Sequence, residues 1–116
     1  MKYLFLVLSL FIFALVQSQN CKDLPDLFSS QQSALNKIEL SKFNLKESID
    51  TSKSSWIIGL SFYSCNKKTG FLIIKTKSQK YIHQEVPVLL WGKLKNSHSF
   101  GAFYNHNIKG KYKIRV

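Results

Sequence analysis

Apolar residues change their spacing several times along this chain, and each change predicts a new element. Leu4 to Val16 is apolar throughout except for Ser9. Leu24, Leu27, Phe28, Gln31, Leu35 and Ile38, with Ala34 beside them, then recur at helical spacing, with Ser and Gln on the opposite side. This predicts a helix over about 24–38, entered through Asp23-Leu24-Pro25, whose stripe covers one face of a sheet. From Lys42 the period falls to two. Phe43, Leu45, Glu47 and Ile49 alternate with Lys42, Asn44, Lys46 and Ser48, as in an edge strand. Thr51 to Ser55 is polar and reads as a turn, too short for a domain linker.

The next segments favour strands by residue type. Trp56 to Tyr63 is rich in β-formers, and Gly59 inside it marks a bulge or a close backbone approach. A polar loop, Ser64 to Gly70, leads to a strand at Phe71 to Thr76. Lys77-Ser78-Gln79 is a tight turn, and Lys80 to His83 returns. Val86-Pro87 ends the sheet, because the residue before Pro avoids helical angles while Pro suits a first helical turn. Val88, Trp91, Leu94 and Lys95 mark a helix, with Leu89 and Leu90 widening its apolar face. Ser97-His98-Ser99 breaks it and caps a second short helix carrying Phe100, Phe103 and Tyr104. Ile108 to Ile114 is expected to be extended, with Tyr112 and Ile114 packing back. The fold class is therefore α+β: an N-terminal helix, an antiparallel meander of three to four strands, then two short helices packed on the sheet.

The first 18 residues read as an export signal, with Lys2 before the apolar run and Val16-Gln17-Ser18 at a cleavage site. The run is shorter than the roughly 20 residues of a membrane span. An uncleaved anchor, or a lipoprotein acylated at Cys21, are the other readings; Asn20 before the Cys fits the second poorly. Residues 19–53 form a helix-and-strand extension and 54–116 a compact module. Cys21 and Cys65 are expected to pair in an exported protein, closing a loop of roughly 45 residues. The other reading is two free thiols, and no C-x-x-C pair points to a metal.

Charge is unevenly placed. Residues 19–50 carry a net of −1, whereas 51–116 hold eleven lysines and Arg115 against Glu85 alone, a net of +11. Such a module suits an anionic partner, although a Lys-rich bias of composition gives the same count.

One ordered set of residues is similar to a known family. A Ser before a strand ending in Tyr is Ser55 and Tyr63; the apolar second strand has Leu72 and Ile74. Tyr-x-Tyr appears as Tyr81-Ile82-His83, with His in place of the second aromatic, and Val-Pro is Val86-Pro87. Ala-x-Ser-x-Gly appears as Ser97-His98-Ser99-Phe100-Gly101, with Ser for Ala. Aromatic-Asn-x-x-Ile is Tyr104-Asn105-His106-Asn107-Ile108, and the closing Tyr is Tyr112. Over residues 54–114 the chain resembles the KTSC family, a small domain named after the C-terminus of some lysyl-tRNA synthetases. The resemblance implies an exported single-domain member, with RNA binding as the role raised for the family. Residues 19–53 lie outside its pattern.

Catalytic candidates are few. A glycosidase needs two facing carboxylates, and the module has Glu85 alone. Ser99 lies near His98 and His106, but no Gly-x-Ser-x-Gly elbow is present, and Ser99 reads first as an N-cap. An enzyme would need Ser99, His83 or Glu85 to converge in a cleft. His83, His98 and His106 have no metal-binding spacing, so no catalytic residue, metal or cofactor is assigned. Gly101 is expected to permit a close helix–sheet contact, and Asn105 to bond backbone or take a left-handed turn. Tyr81, Tyr104 and Tyr112, with His83, Asn105, Lys80, Lys109, Lys111 and Lys113, are the candidate binding set. Lysines neutralise phosphates and rings stack bases, so a basic aromatic groove suits single-stranded nucleic acid; extracellular DNA, acidic polysaccharide or an anionic lipid surface suit the charge equally. The alternative is a protein-interaction or structural module of the cell envelope.

Overall fold

The computed structural model describes residues 19–116; the export signal expected over 1–18 lies outside them. A four-stranded antiparallel sheet has the order β1-β2-β3-β4, formed by β1 (Leu45–Ile49), β2 (Gly59–Ser64), β3 (Thr69–Lys75) and β4 (Lys80–Pro87). One helix, α1 (Gln31–Leu40), precedes it; α2 (Val88–Lys95) and α3 (Phe100–Asn107) follow. The α+β architecture is therefore as expected. Among the described residues, no helix is long and apolar enough to cross a membrane.

Alternation along the strands gives each face of the sheet its own core. Leu60, Phe62, Leu72 and Ile74 point to one face and meet Trp91 and Leu94 of α2 and Phe100 and Tyr104 of α3. Phe62 stacks flat on Trp91, with centroids 5.2 Å apart. Tyr63, Ile73 and Ile82 point to the other face and meet Phe28 and, from α1, Ala34 and Ile38. The stripe of α1 does cover a sheet face. Its start is corrected, however. Asp23-Leu24-Pro25 opens no helix: Cys21–Asp23 is a single 3-10 turn, and α1 begins at Gln31, where the Ser30 hydroxyl accepts the Ser33 N–H. Between them the chain is extended enough for Phe28 to donate its N–H to the Arg115 carbonyl at 2.9 Å. Leu27, read into the apolar stripe, is instead 64% exposed.

β4 runs on past His83, where the return strand was expected to end. Glu85 has a positive φ of 58° and forms a bulge, with the register to β3 shifting between Gly70 and Leu72. The extra residue breaks the two-residue alternation, so both His83 and Val86 reach the face that carries α2 and α3. Gly70 lies opposite Val86, and a Cβ there would stand 2.3 Å from the Tyr63 carbonyl oxygen, so the close approach of β2 requires a glycine. Pro87 then caps α2, as expected of Val86-Pro87. Leu89 does not widen the buried face of α2; it is 83% exposed. Ile108–Ile114 turns before it extends, pairing with β4 only through a bridge between His83 and Lys113.

Three ties hold the pieces together. Cys21 and Cys65 are disulfide-bonded, with Cα atoms 5.8 Å apart, joining the N-terminal segment to the β2–β3 loop. Glu47 on β1 accepts from Trp91 Nε1 at 3.2 Å and Lys95 Nζ at 3.0 Å on α2. The Lys95 hydrogen bond holds its carboxyl below the usual range. Gln84, buried on the face toward α1, donates from Nε2 to the Asp26 carbonyl and accepts the Arg115 N–H at Oε1. With the bridge at Lys113, this closes the middle of β4's outer edge. No strand pairs with the outer edge of β1 among the described residues.

Candidate binding cleft

The β3–β4 hairpin, Trp56 in the segment before β2 and the end of α3 meet at one end of the sheet and enclose a cleft of about 280 Å³. Trp56, Tyr81 and Tyr104 give it rings, Thr76 and Ser78 hydroxyls, Asn105 an amide and Lys109 an ammonium. Four of these belong to the set expected from sequence: Tyr81, Tyr104, Asn105 and Lys109.

The aromatic wall depends on two contacts. Gly101, in the first turn of α3, lets the Trp56 indole lie against the helix; a Cβ there would stand 2.4 Å from Trp56 Nε1. The close approach expected of Gly101 is thus to an indole that precedes β2, rather than to the sheet. Trp56 in turn meets Tyr104 edge-on, at 6.1 Å and 61°. Ser99 caps α3 by accepting the Ala102 N–H, its expected role.

Beneath Tyr104 lies His83. Its Nδ1 is 2.9 Å from the Tyr112 carbonyl oxygen, which only accepts, so Nδ1 carries the hydrogen. Nε2, 2.9 Å from the Tyr104 hydroxyl, is then the acceptor, and the tyrosine donates. Burial favours both neutral forms: it lowers the His83 pKa, against the opposing bond to Tyr112, and raises that of Tyr104. This chain of hydrogen bonds fixes the floor of the cleft.

Other members of the expected set lie elsewhere. Lys80 is corrected out of the groove: it pairs with Glu39 of α1 at 2.9 Å, on the opposite face. His83 is a buried support of this cleft and lines instead, with Tyr81 and Lys113, a separate pocket of about 240 Å³. Tyr112 packs partly against the core and offers its carbonyl to His83. Lys111 donates to the His106 carbonyl at 3.2 Å. Asn105 takes no left-handed turn; it is helical, and while Asn107 bonds the Phe103 carbonyl, Asn105 makes no side-chain bond among the described residues. Ile108 is fully buried between α3 and the sheet. Trp56, Thr76 and Ser78 were not expected in the site: the sequence shows Trp56 as a strand former and an aromatic, Thr76 as a strand end and Ser78 as a turn residue.

The remaining chemistry is dispersed. Ser99 caps its helix, Glu85 pairs with Arg115 at 3.3 Å, and His83 sits under Tyr104. Among the described residues no three His, Cys, Asp or Glu side chains gather as metal ligands. No carboxylate lines the aromatic cleft, and Lys109 has no ion-pair partner among the described residues. A smaller cavity of about 190 Å³ beside the disulfide includes Asp26 and Glu85, the wrong sign for an anionic ligand. The arrangement offers ring faces, an amide and a cation to an acceptor-rich ligand. Compared with family models, curated proteins and solved structures, the chain matches none of them.

Proposed function

We propose that the protein is an exported, non-enzymatic binding module for a polyanion, related to the KTSC domains it resembles. One observation carries the reading: a cleft lined by aromatic rings, an uncommitted amide and an unpaired ammonium, with no carboxylate, on a module of net charge +11 over residues 51–116. Lys80, Lys95 and Arg115 are neutralised by carboxylates; Lys67, Lys68, Lys75, Lys77 and Lys109 make no ion pair among the described residues. Their field draws an anionic polymer to the surface, and the cleft holds one unit of it. The disulfide supports export, since such bonds persist in oxidising compartments.

Affinity for heparin and for single-stranded DNA, measured against salt concentration, tests this. Binding should weaken as salt rises, with a log–log slope of about −0.7 per phosphate neutralised, and Lys109→Ala should reduce the slope by about one phosphate's share. Absence of binding at low salt, or binding with no salt slope, would remove the proposal.

A further inference from the structure

Of the seven large apolar side chains left in solvent among the described residues, Leu27, Leu40, Leu89 and Val116 lie elsewhere, whereas three lie together at the cleft end of the sheet. Trp56, Ile58 and Tyr81 are 37%, 47% and 38% exposed. Trp56 and Tyr81 both line the cleft, and the Ile58 N–H bonds the Lys75 carbonyl at 2.8 Å, which fixes Ile58 at the root of the β3–β4 hairpin. The same end carries Lys77 between Thr76 and Ser78 in the hairpin, and Lys109 beyond α3. Neither lysine makes an ion pair among the described residues.

This combination fits a membrane surface better than a nucleic-acid strand. An exposed isoleucine gives no stacking face to a base, but it gains by entering the acyl boundary of a bilayer. Tyr and Trp favour the water–lipid interface, where the ring is buried and the polar tip stays wet. Lysines beside them meet anionic headgroups. The ring geometry leads the same way: Gly101 backs the Trp56 indole and Tyr104 meets it at 61°, so these two rings are not a parallel pair between which a base could slot.

We infer that this end of the protein docks on an anionic lipid surface. Trp56, Ile58 and Tyr81 enter the headgroup layer, while Lys77 and Lys109 contact lipid phosphates. The inference rests on the polyanion reading above and narrows it to one partner.

Vesicles of phosphatidylcholine, with and without phosphatidylglycerol, titrated against the purified chain and followed by tryptophan emission, test it. Trp91 is 1% exposed and stacked on Phe62, so a change in emission reports Trp56. The neutral vesicles measure whatever the apolar residues 4–16 add, and the excess binding to anionic vesicles is the quantity read. The expected result is such an excess, with a blue shift of Trp56. Lys77→Glu, which reverses one charge, should lower the excess affinity about 25-fold, at about fivefold per unit charge. Ile58→Ser should weaken it with an unchanged salt slope. Both positions are exposed, so neither variant disturbs the core. A parallel titration with oligothymidylate separates the outcomes. Salt-dependent binding to the oligonucleotide, with no anionic excess or no blue shift on vesicles, overturns the lipid inference and leaves the polyanion reading standing. Failure to bind either overturns both. An excess untouched by both substitutions overturns the assignment to this end of the sheet.

Discussion

Gly101→Ala and Gly92→Ala should change stability in opposite directions, although both place a methyl on a glycine within a helix. At Gly101 the added Cβ would lie 2.4 Å from Trp56 Nε1, 2.9 Å from Cε2 and 3.0 Å from Cζ2. Unstrained contacts between such atoms begin near about 3.5 Å, so the indole must retreat by roughly 1 Å. Overpacking of this kind costs about 1–3 kcal/mol. The helix-propensity gain of alanine opposes it by at most about 1 kcal/mol, and by less in the first turn, where Gly101 sits. The net loss is about 1–2 kcal/mol, and the melting temperature of a domain this size should fall by about 5–15 °C. Gly92 lies in α2 with nothing within 4 Å of its would-be Cβ. Only the propensity gain remains, so Gly92→Ala should stabilise by about 0.5–1 kcal/mol. Thermal unfolding by circular dichroism, with tryptophan emission of the folded proteins, reads both effects. Gly101→Ala should also shift emission to the red as Trp56 leaves Tyr104. If Gly101→Ala were as stable as the parent and its emission unchanged, the glycine would not be there for the indole.

Two further outcomes follow from the supports around the cleft. The His83 pKa is lowered by burial from 6.5, so the unfolded chain binds a proton that the native state does not; stability is complete above about pH 6.5 and is lost as pH falls below it. Melting temperatures at about pH 7.5 and about pH 5.5 should differ accordingly, ahead of any titration of Glu47; a flat profile between them would refute the buried neutral imidazole. Reduction of Cys21–Cys65, which closes a loop with a sequence separation of 44, should cost about 4 kcal/mol in denaturant unfolding, and equal midpoints with and without reductant would show that the bond does not restrain the unfolded chain.

The order of elements was legible because its signals are local. A period-two run marks β1, β-forming residue types mark β2 and β3, Val86-Pro87 marks the switch to α2, and Ser99 marks the start of α3. Errors arose where a distant partner decides. Leu24, Leu27 and Phe28 keep helical spacing, yet the Phe28 N–H is taken by the Arg115 carbonyl, and Ser30 starts the helix instead. The length of β4 depends on a left-handed glutamate, which no periodicity announces. The cleft was half legible: grouping aromatics with basic residues found Tyr81, Tyr104, Asn105 and Lys109. The same grouping placed Lys80 beside Tyr81, although neighbours on a strand point to opposite faces, and Lys80 duly meets Glu39. Trp56, Thr76 and Ser78 join the cleft through the tertiary approach of the hairpin to the segment before β2. That approach leaves no spacing pattern to read.

The closed outer edge of β4 limits how copies of this protein can join. A sheet with two bare edges can add strands at both and grow into a fibre. Here the segment around Lys113 and the Gln84 amide seal the middle of one edge, leaving β1 as the open one. Two molecules meeting β1 to β1 would form an isologous pair with no bare edge between them, and assembly through the sheet would stop at two.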